Sequence, residues 1–491
     1  VHYLSREQMR SAIEDTGAKF WNELEVESEL YENREEDLMG VATSALKKEQ
    51  GLENESMLAG FMKLSCYSLE LQLPGCIRWL QQLQPDAVAY CPLLCQDAAY
   101  AAEFLKLPKV AILTTAGPGS MAFTMQAFLD MSGSTAEEPW SEELLEECRN
   151  YAPLQQNVAN LKERYGIEYQ VERNLRNLGF LSAAASADVC LVTTTEDLQD
   201  PCPPQLTEAY EQAGAKFVTV GPLLDQAGAK RAACHKFNEA KTGDAHQDDD
   251  DDELMEQMRM AKSAGRKVVL ASMGTAPGMV KSEFGESELS TFQGDSLKNI
   301  AESAHKAKVQ CKEVVTGDSP DLGWHTKPME GSGRKGLTGK QLCQAAWNGV
   351  FDAFGSDDPT APLIILVTGP QPDALENLTV PSNAICRQMV PQVDLLRARV
   401  DVFLTHCGQN SFMEHRGEND TVNSPGRSLV LGVPMVCCPG CVDQPTNAAK
   451  AEALGAALQV SRPVPEDGEE QAAMQSYQSE AQTSQSSQFD Y

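Results

Sequence analysis

The sequence predicts an α/β protein made of two Rossmann-like domains, and three observations carry this. Short apolar runs alternate with amphipathic stretches, the strand, helix, strand order of βαβ units and parallel sheets. The pattern comes in two blocks, separated by a polar stretch that holds five consecutive Asp at 248–252. The length of 491 residues suits two or three domains of about 100–200 residues each.

In the first block, Asp86-Ala-Val-Ala-Tyr90 reads as a strand, the following pattern through Leu105 as a helix, and Lys109-Val-Ala-Ile-Leu-Thr114 as the next strand. Asp188-Val-Cys-Leu-Val-Thr193 and Lys216-Phe-Val-Thr-Val-Gly221-Pro222 repeat the grammar, so the first domain is expected over 1–235. Residues 236–263 are polar and acidic, with little to bury, and read as a solvated linker. A metal site is the sharper reading of the Asp run, but adjacent carboxylates lack the alternating spacing and Gly turn of a calcium loop.

The second domain is expected over 264–465. Its strands are Arg266–Thr275, Pro362–Gly369, Val400–His406 and Val433–Pro439, with a helix at Gln341–Phe354. Two insertions interrupt it, near 276–313 and at 415–427, both composed of loop-type residues. The tail over 466–491 has six acids, no Lys or Arg, and repeated Ser and Gln, and is expected to be disordered.

Lys and Arg total 40 against 71 Asp and Glu, a net charge of −31. Such a field repels phosphate backbones and anionic lipid, which argues against a nucleic-acid or membrane-surface role. No run reaches the ~18 apolar residues of a membrane helix. The odd number of cysteines, 15, sits mostly in apolar runs without zinc spacing, which points to reduced thiols and a cytoplasmic setting.

The chemistry concentrates between 388 and 447. Here stand Gln388-Met-Val-Pro-Gln392, Thr405-His-Cys-Gly-Gln-Asn-Ser411, Glu414, Gly432-Val-Pro434, Asp443-Gln444 and Asn447. A strand delivers His406 into a Cys-Gly turn, and the helix that follows directs free N–H groups and its positive dipole end over the strand's carboxyl edge. That is a diphosphate cradle, to which His406, Asn410 and Ser411 add side-chain donors. Glu414, one turn in, can accept from ribose hydroxyls, and a carboxylate beside an amide, Asp443-Gln444, can read vicinal sugar hydroxyls. Taken singly, a His after a strand is more often a satisfied core residue.

This ordered set resembles the nucleotide-sugar signature of the family-one UDP-glycosyltransferases, in particular their macrolide-glycosyltransferase-like branch. Ser272-Met-Gly-Thr275, Val220-Gly-Pro222 and Gln84–Tyr90 extend the resemblance over most of the chain. It implies a GT-B fold, two Rossmann-like domains facing across a cleft. It also implies inverting, metal-independent transfer of a hexose from a UDP-sugar to a hydroxyl of a small lipophilic acceptor, with no cofactor beyond the donor co-substrate. By the same resemblance Gln392 takes the nucleoside with Met389 beside it. His406, Gly408, Asn410 and Ser411 take the diphosphate with Gly274 and Thr275, Glu414 the ribose, and Asp443 and Gln444 the sugar.

Several positions depart from the family. Met389 stands where a Trp stacks on uracil, offering polarizable surface without a ring. The second glycine of the family's HGG falls on Cys407 or its neighbour, depending on how His406-Cys-Gly408 is aligned, and a side chain there is expected to crowd the pyrophosphate. Removing 415–427 would restore the family's spacing between Glu414 and Gly432-Val-Pro434. His2-Tyr3-Leu4-Ser5 aligns with the family's second strand, so the first strand and the His that serves as base are not found in this sequence, and His2 does not replace that base. Cys91 stands at the position of the Asp that orients it, and the acidic tail stands where a C-terminal return helix is expected. These departures support a second reading, a degenerate nucleotide-sugar binder without catalysis. A nicotinamide enzyme is disfavoured, because no GxGxxG follows a strand with an acidic residue about twenty positions on. Loops such as Ala116–Ser120, and the Met- and Phe-containing stretch 121–140, fit either an acceptor pocket or core packing.

Overall fold

The computed structural model describes residues 1–34, 43–53, 55, 57–120, 142–169, 171, 182–221, 246–273, 337–369, 373–414, 433–440, 443–463, 465 and 468–489. The chain divides into two compact units, the first ending at Leu223 and the second running from Leu224 to Tyr491.

In the first unit, β1 (His2–Ser5) and β2 (Lys19–Asn22) form a parallel pair. A second sheet, all parallel, has the order β3 (Val88–Tyr90), β4 (Lys109–Leu113), β5 (Val189–Val192), β6 (Phe217–Thr219). Helix α1 (Met57–Leu83) contributes Met62, Cys66, Leu69, Leu73 and Leu80 to the core. These recur at helical spacing, one stripe of α1 against the sheet. Helix α2 (Gln96–Leu105) follows β3 and completes the βαβ unit with β4.

The second unit holds a six-stranded sheet. Its strands are β7 (Val268–Ser272), β8 (Leu363–Val367), β9 (Ala384–Arg387), β10 (Val402–Thr405), β11 (Met435–Cys437) and β12 (Ala457–Gln459). All pairs are parallel, in the order β12-β11-β10-β7-β8-β9. Counted within the unit this is 6-5-4-1-2-3, the doubly wound nucleotide-binding order read from its other edge. The central strands are buried along their whole length because helices cover both faces.

Two expectations are corrected. The acidic linker is, from 246 onward, helix α3 (His246–Ser263), and it belongs to the second unit. The Asp run falls in the N-terminal part of this helix. Leu254, Met258 and Ala261, spaced at four and three residues, supply a buried stripe. Residues 236–245, and both predicted insertions, lie outside the described residues.

The tail is helix α5 (Glu470–Phe489), packed on α4 (Gly339–Phe354). Met474, Tyr477, Ala481 and Gln485 recur at spacings of three and four, and the last three are buried. So few apolar positions leave the composition looking disordered, yet they all fall on one face. At the crossing, a Cβ on Gly349 of α4 would lie 2.9 Å from the Gln478 carbonyl and 3.0 Å from the Ala481 methyl, so the glycine permits the close approach.

Candidate functional site

Strands β7 and β10 are neighbours, with Ser272 paired to Thr405 at their carboxyl ends. Their connections leave in opposite directions, to β8 on one side and to β11 on the other. This is a topological switch point, where open α/β sheets leave a crevice for ligand.

The crevice wall is the turn Thr405-His-Cys-Gly408 and the short helix α6 (Gln409–Glu414). Cys407 adopts φ +63°, a left-handed conformation uncommon for a residue with a side chain. Three contacts hold it there. Its N–H donates to Thr405 Oγ1 at 3.1 Å, its carbonyl accepts from Asn447 Nδ2 at 3.1 Å, and its sulfur accepts from the Cys437 thiol at 3.2 Å. The Cys407 side chain is fully buried, and this corrects the expectation that it crowds the pyrophosphate. The Cys437 thiol is pushed well up by the Cys407 thiol beside it and by burial.

His406 is buried, and burial pushes its imidazole down to about 4, with the Ser272 backbone acting the other way. At neutral pH the ring is therefore uncharged and offers a donor rather than a cation. Its Nδ1 has no hydrogen-bond partner among the described residues. Gly408 is needed beside it, since a Cβ there would fall on His406 Nε2.

Other motif segments converge on the same turn. Gln392 begins α7 (Gln392–Arg397), and its Nε2 donates to Ser411 Oγ at 3.4 Å. Met389, just before it, is half-buried. Asp443 precedes α8 (Gln444–Ala453), and its Oδ2 accepts from the Gln409 N–H at 2.8 Å and from Asn447 Nδ2 at 3.0 Å. Gln444 Oε1 accepts from the Gly440 N–H at 2.8 Å, and Arg462 donates to the Gly440 carbonyl, so the Pro439-Gly440 turn is held from both sides.

The structure thus gathers Gln392, His406, Gly408, Ser411 and Asp443 around one turn, with Gln444 on the neighbouring one. Asn410 and Glu414 lie on α6, with side chains outside the described residues, as are Gly274 and Thr275 entirely. Thr405 and Asn447 also belong to this arrangement, without a role in the motif. The signal for Asn447 was its place one helical turn after Asp443, on the same face.

In the first unit, Cys91 follows β3 directly and is half-buried. His2 opens β1, the end away from the carboxyl edge, and its Nδ1 accepts from Trp21 Nε1 at 2.9 Å. No described helix is long and apolar enough to cross a membrane.

A doubly wound sheet with motif segments gathered at its switch point defines an α/β protein of nucleotide-binding architecture. Residues 352–467 match the model of the family described as UDP-glucoronosyl and UDP-glucosyl transferase. This segment holds every expected donor residue except Gly274 and Thr275.

Among solved structures, the chain is similar to the glycotransferase of kitacinnamycin, at 17% identity and a TM-score of 0.46, over 100% of this chain and 87% of that one. It is similar to CalG4, the calicheamicin glycosyltransferase, at 12% identity and 0.45, over 99% and 86%. The spinosyn rhamnosyltransferase SpnG is similar at 11% identity and 0.44, over 99% and 87%. No curated protein matches the chain.

Proposed function

We propose that this protein transfers a hexose from a UDP-sugar to a hydroxyl of a small lipophilic acceptor, with inversion. The observation that carries the reading is the gathering of Gln392, His406, Gly408, Ser411 and Asp443 at the switch point between β7 and β10. The acceptor hydroxyl oxygen attacks the anomeric carbon from the face opposite the diphosphate, the glycosidic bond forms, UDP leaves with the bonding pair, and the hydroxyl proton passes to water. A neutral His406, the N–H groups of the turn and the Ser411 hydroxyl would stabilise charge that grows on the leaving diphosphate. Asp443 and Gln444 would hold the sugar, Gln392 the nucleoside and Glu414 the ribose, with Gly274 and Thr275 completing the phosphate contacts.

A thiol at Cys91, where the family's orienting carboxylate is expected, favours one alternative, a nucleotide-sugar binder that does not turn over. Release of UDP from UDP-glucose, measured with and without a panel of alcohols, phenols and sterols, separates the two. Acceptor-dependent UDP release is expected; binding of UDP-glucose with no release under any acceptor would favour the alternative.

Gly408→Ala tests the turn. The new methyl displaces a buried imidazole, and overpacking of this kind costs about 1–3 kcal/mol. UDP affinity is expected to fall by about ten- to a hundredfold, at 1.4 kcal/mol per factor of ten. Titration calorimetry checks this, and unchanged affinity would remove the turn from the donor site.

A further inference from the structure

The geometry points to Cys407 and Cys437 as a redox-sensitive pair, oxidised by a peroxide to a disulfide that weakens diphosphate binding; the effect on binding rests on the donor-site reading above. Both are free thiols, both are fully buried, and the Cys437 thiol donates to the Cys407 sulfur at 3.2 Å. Cys437 ends β11, in register with Thr405 of β10, and Cys407 stands two residues beyond Thr405 in the turn. Alternation along the strand turns Cys438 the other way, into the cluster of Trp347 and Tyr477, which leaves Cys437 as the hydrogen-bonded partner of Cys407. A left-handed φ of +63° is free of strain in glycine and uncommon in a residue with a side chain. What the side chain adds over glycine at this position is a sulfur set against a second sulfur.

The oxidation runs in two displacements. The Cys407 sulfur attacks one oxygen of the peroxide, the O–O bond breaks, and the thiol proton leaves with the displaced oxygen as water, giving a sulfenic acid. The Cys437 sulfur then attacks the Cys407 sulfur, the S–O bond breaks as the S–S bond forms, and the Cys437 proton leaves with the hydroxyl as a second water. Two thiols are oxidised and one peroxide is reduced. Burial admits only a small oxidant, reaching the pair when the turn and the six-residue α6 open locally.

Bonded sulfurs stand about 2.05 Å apart, so closing the 3.2 Å gap draws the two residues together by roughly an ångström. Strand β11 is paired on both sides, to β10 and β12, and resists the pull. The turn moves instead, carrying His406 and Gly408, whereas donors to a diphosphate must be held to within about half an ångström.

The test treats the full reduced chain with hydrogen peroxide, maps disulfides by tryptic digestion and mass spectrometry, and titrates UDP before and after. A link between peptides 400–416 and 428–450, which carry Cys407 and Cys437, is expected. UDP affinity is expected to fall by about ten- to a hundredfold, the range for displacing aligned groups by about an ångström, and to return with dithiothreitol. Cys437→Ala and Cys407→Gly each remove one sulfur, the second with a residue suited to the left-handed turn. In either variant the link is expected to be absent and peroxide to leave that variant's UDP affinity where it was. No link in the wild type, a link without loss of UDP affinity, or a peroxide-induced loss that persists in either variant overturns the inference. A reduced wild type that binds no UDP removes the donor-site reading, and the effect on binding with it, while the mapped link still decides whether the pair closes.

Discussion

Tyr477→Ala is expected to destabilise the second unit by about 3–5 kcal/mol, the usual cost of truncating a large aromatic side chain in a core. Tyr477 is 2% exposed and shares a buried cluster with Trp347, Cys438 and Ala481. Its helix follows the sheet in sequence yet closes the face that α4 begins to cover. Urea unfolding checks the effect, with Gln475→Ala, an exposed position on the same helix, expected to stay within about 0.5 kcal/mol of wild type. Equal, small effects at both positions would mean that the segment contributes nothing to the core.

Acidification is expected to destabilise the protein through His406. Its folded value of about 4 lies below the ordinary 6.5, so between these pH values the unfolded chain binds the extra proton. The contribution is complete above pH 6.5, is lost as pH falls toward 4, and amounts to about 3 kcal/mol at 1.36 kcal/mol per pH unit. Asp97, buried beside Glu27 and pushed up to about 6 by that burial, has the opposite sign, its contribution being lost as pH rises. Comparison with His406→Gln cancels that background. The stability of wild type minus that of the variant is expected to drop by about 3 kcal/mol from pH 7 to pH 4; a constant difference would mean an exposed ring.

The central strands were legible in the sequence because each is a continuous apolar run buried on both faces, as in Val268–Ser272 and Leu363–Val367. Strands β9 and β12 were not, since they lie at the sheet edges, span four and three residues, and are mostly half-exposed. The two polar helices were missed for a related reason. Asp248–Asp252 and the Ser/Gln tail dominate composition, while the stripes Leu254, Met258, Ala261 and Met474, Tyr477, Ala481 have the helical period but few members.

At the site, residue order along the chain identified the turn and the residues around it. What order could not convey is that these side chains also bind one another. Asp443 caps the Gln409 N–H, Gln392 reaches Ser411, and Cys407 turns its sulfur inward to Cys437. Such contacts depend on φ at one residue and on the facing of α8, neither of which a motif spells out.

The central claim is that the switch-point turn holds a uridine diphosphate, and direct titration of the chain with UDP tests it. Saturable binding is expected, competed by UDP-glucose and not by NAD, and weakened in Gly408→Ala. No heat of binding with UDP or UDP-glucose, from protein whose unfolding is cooperative, would contradict it.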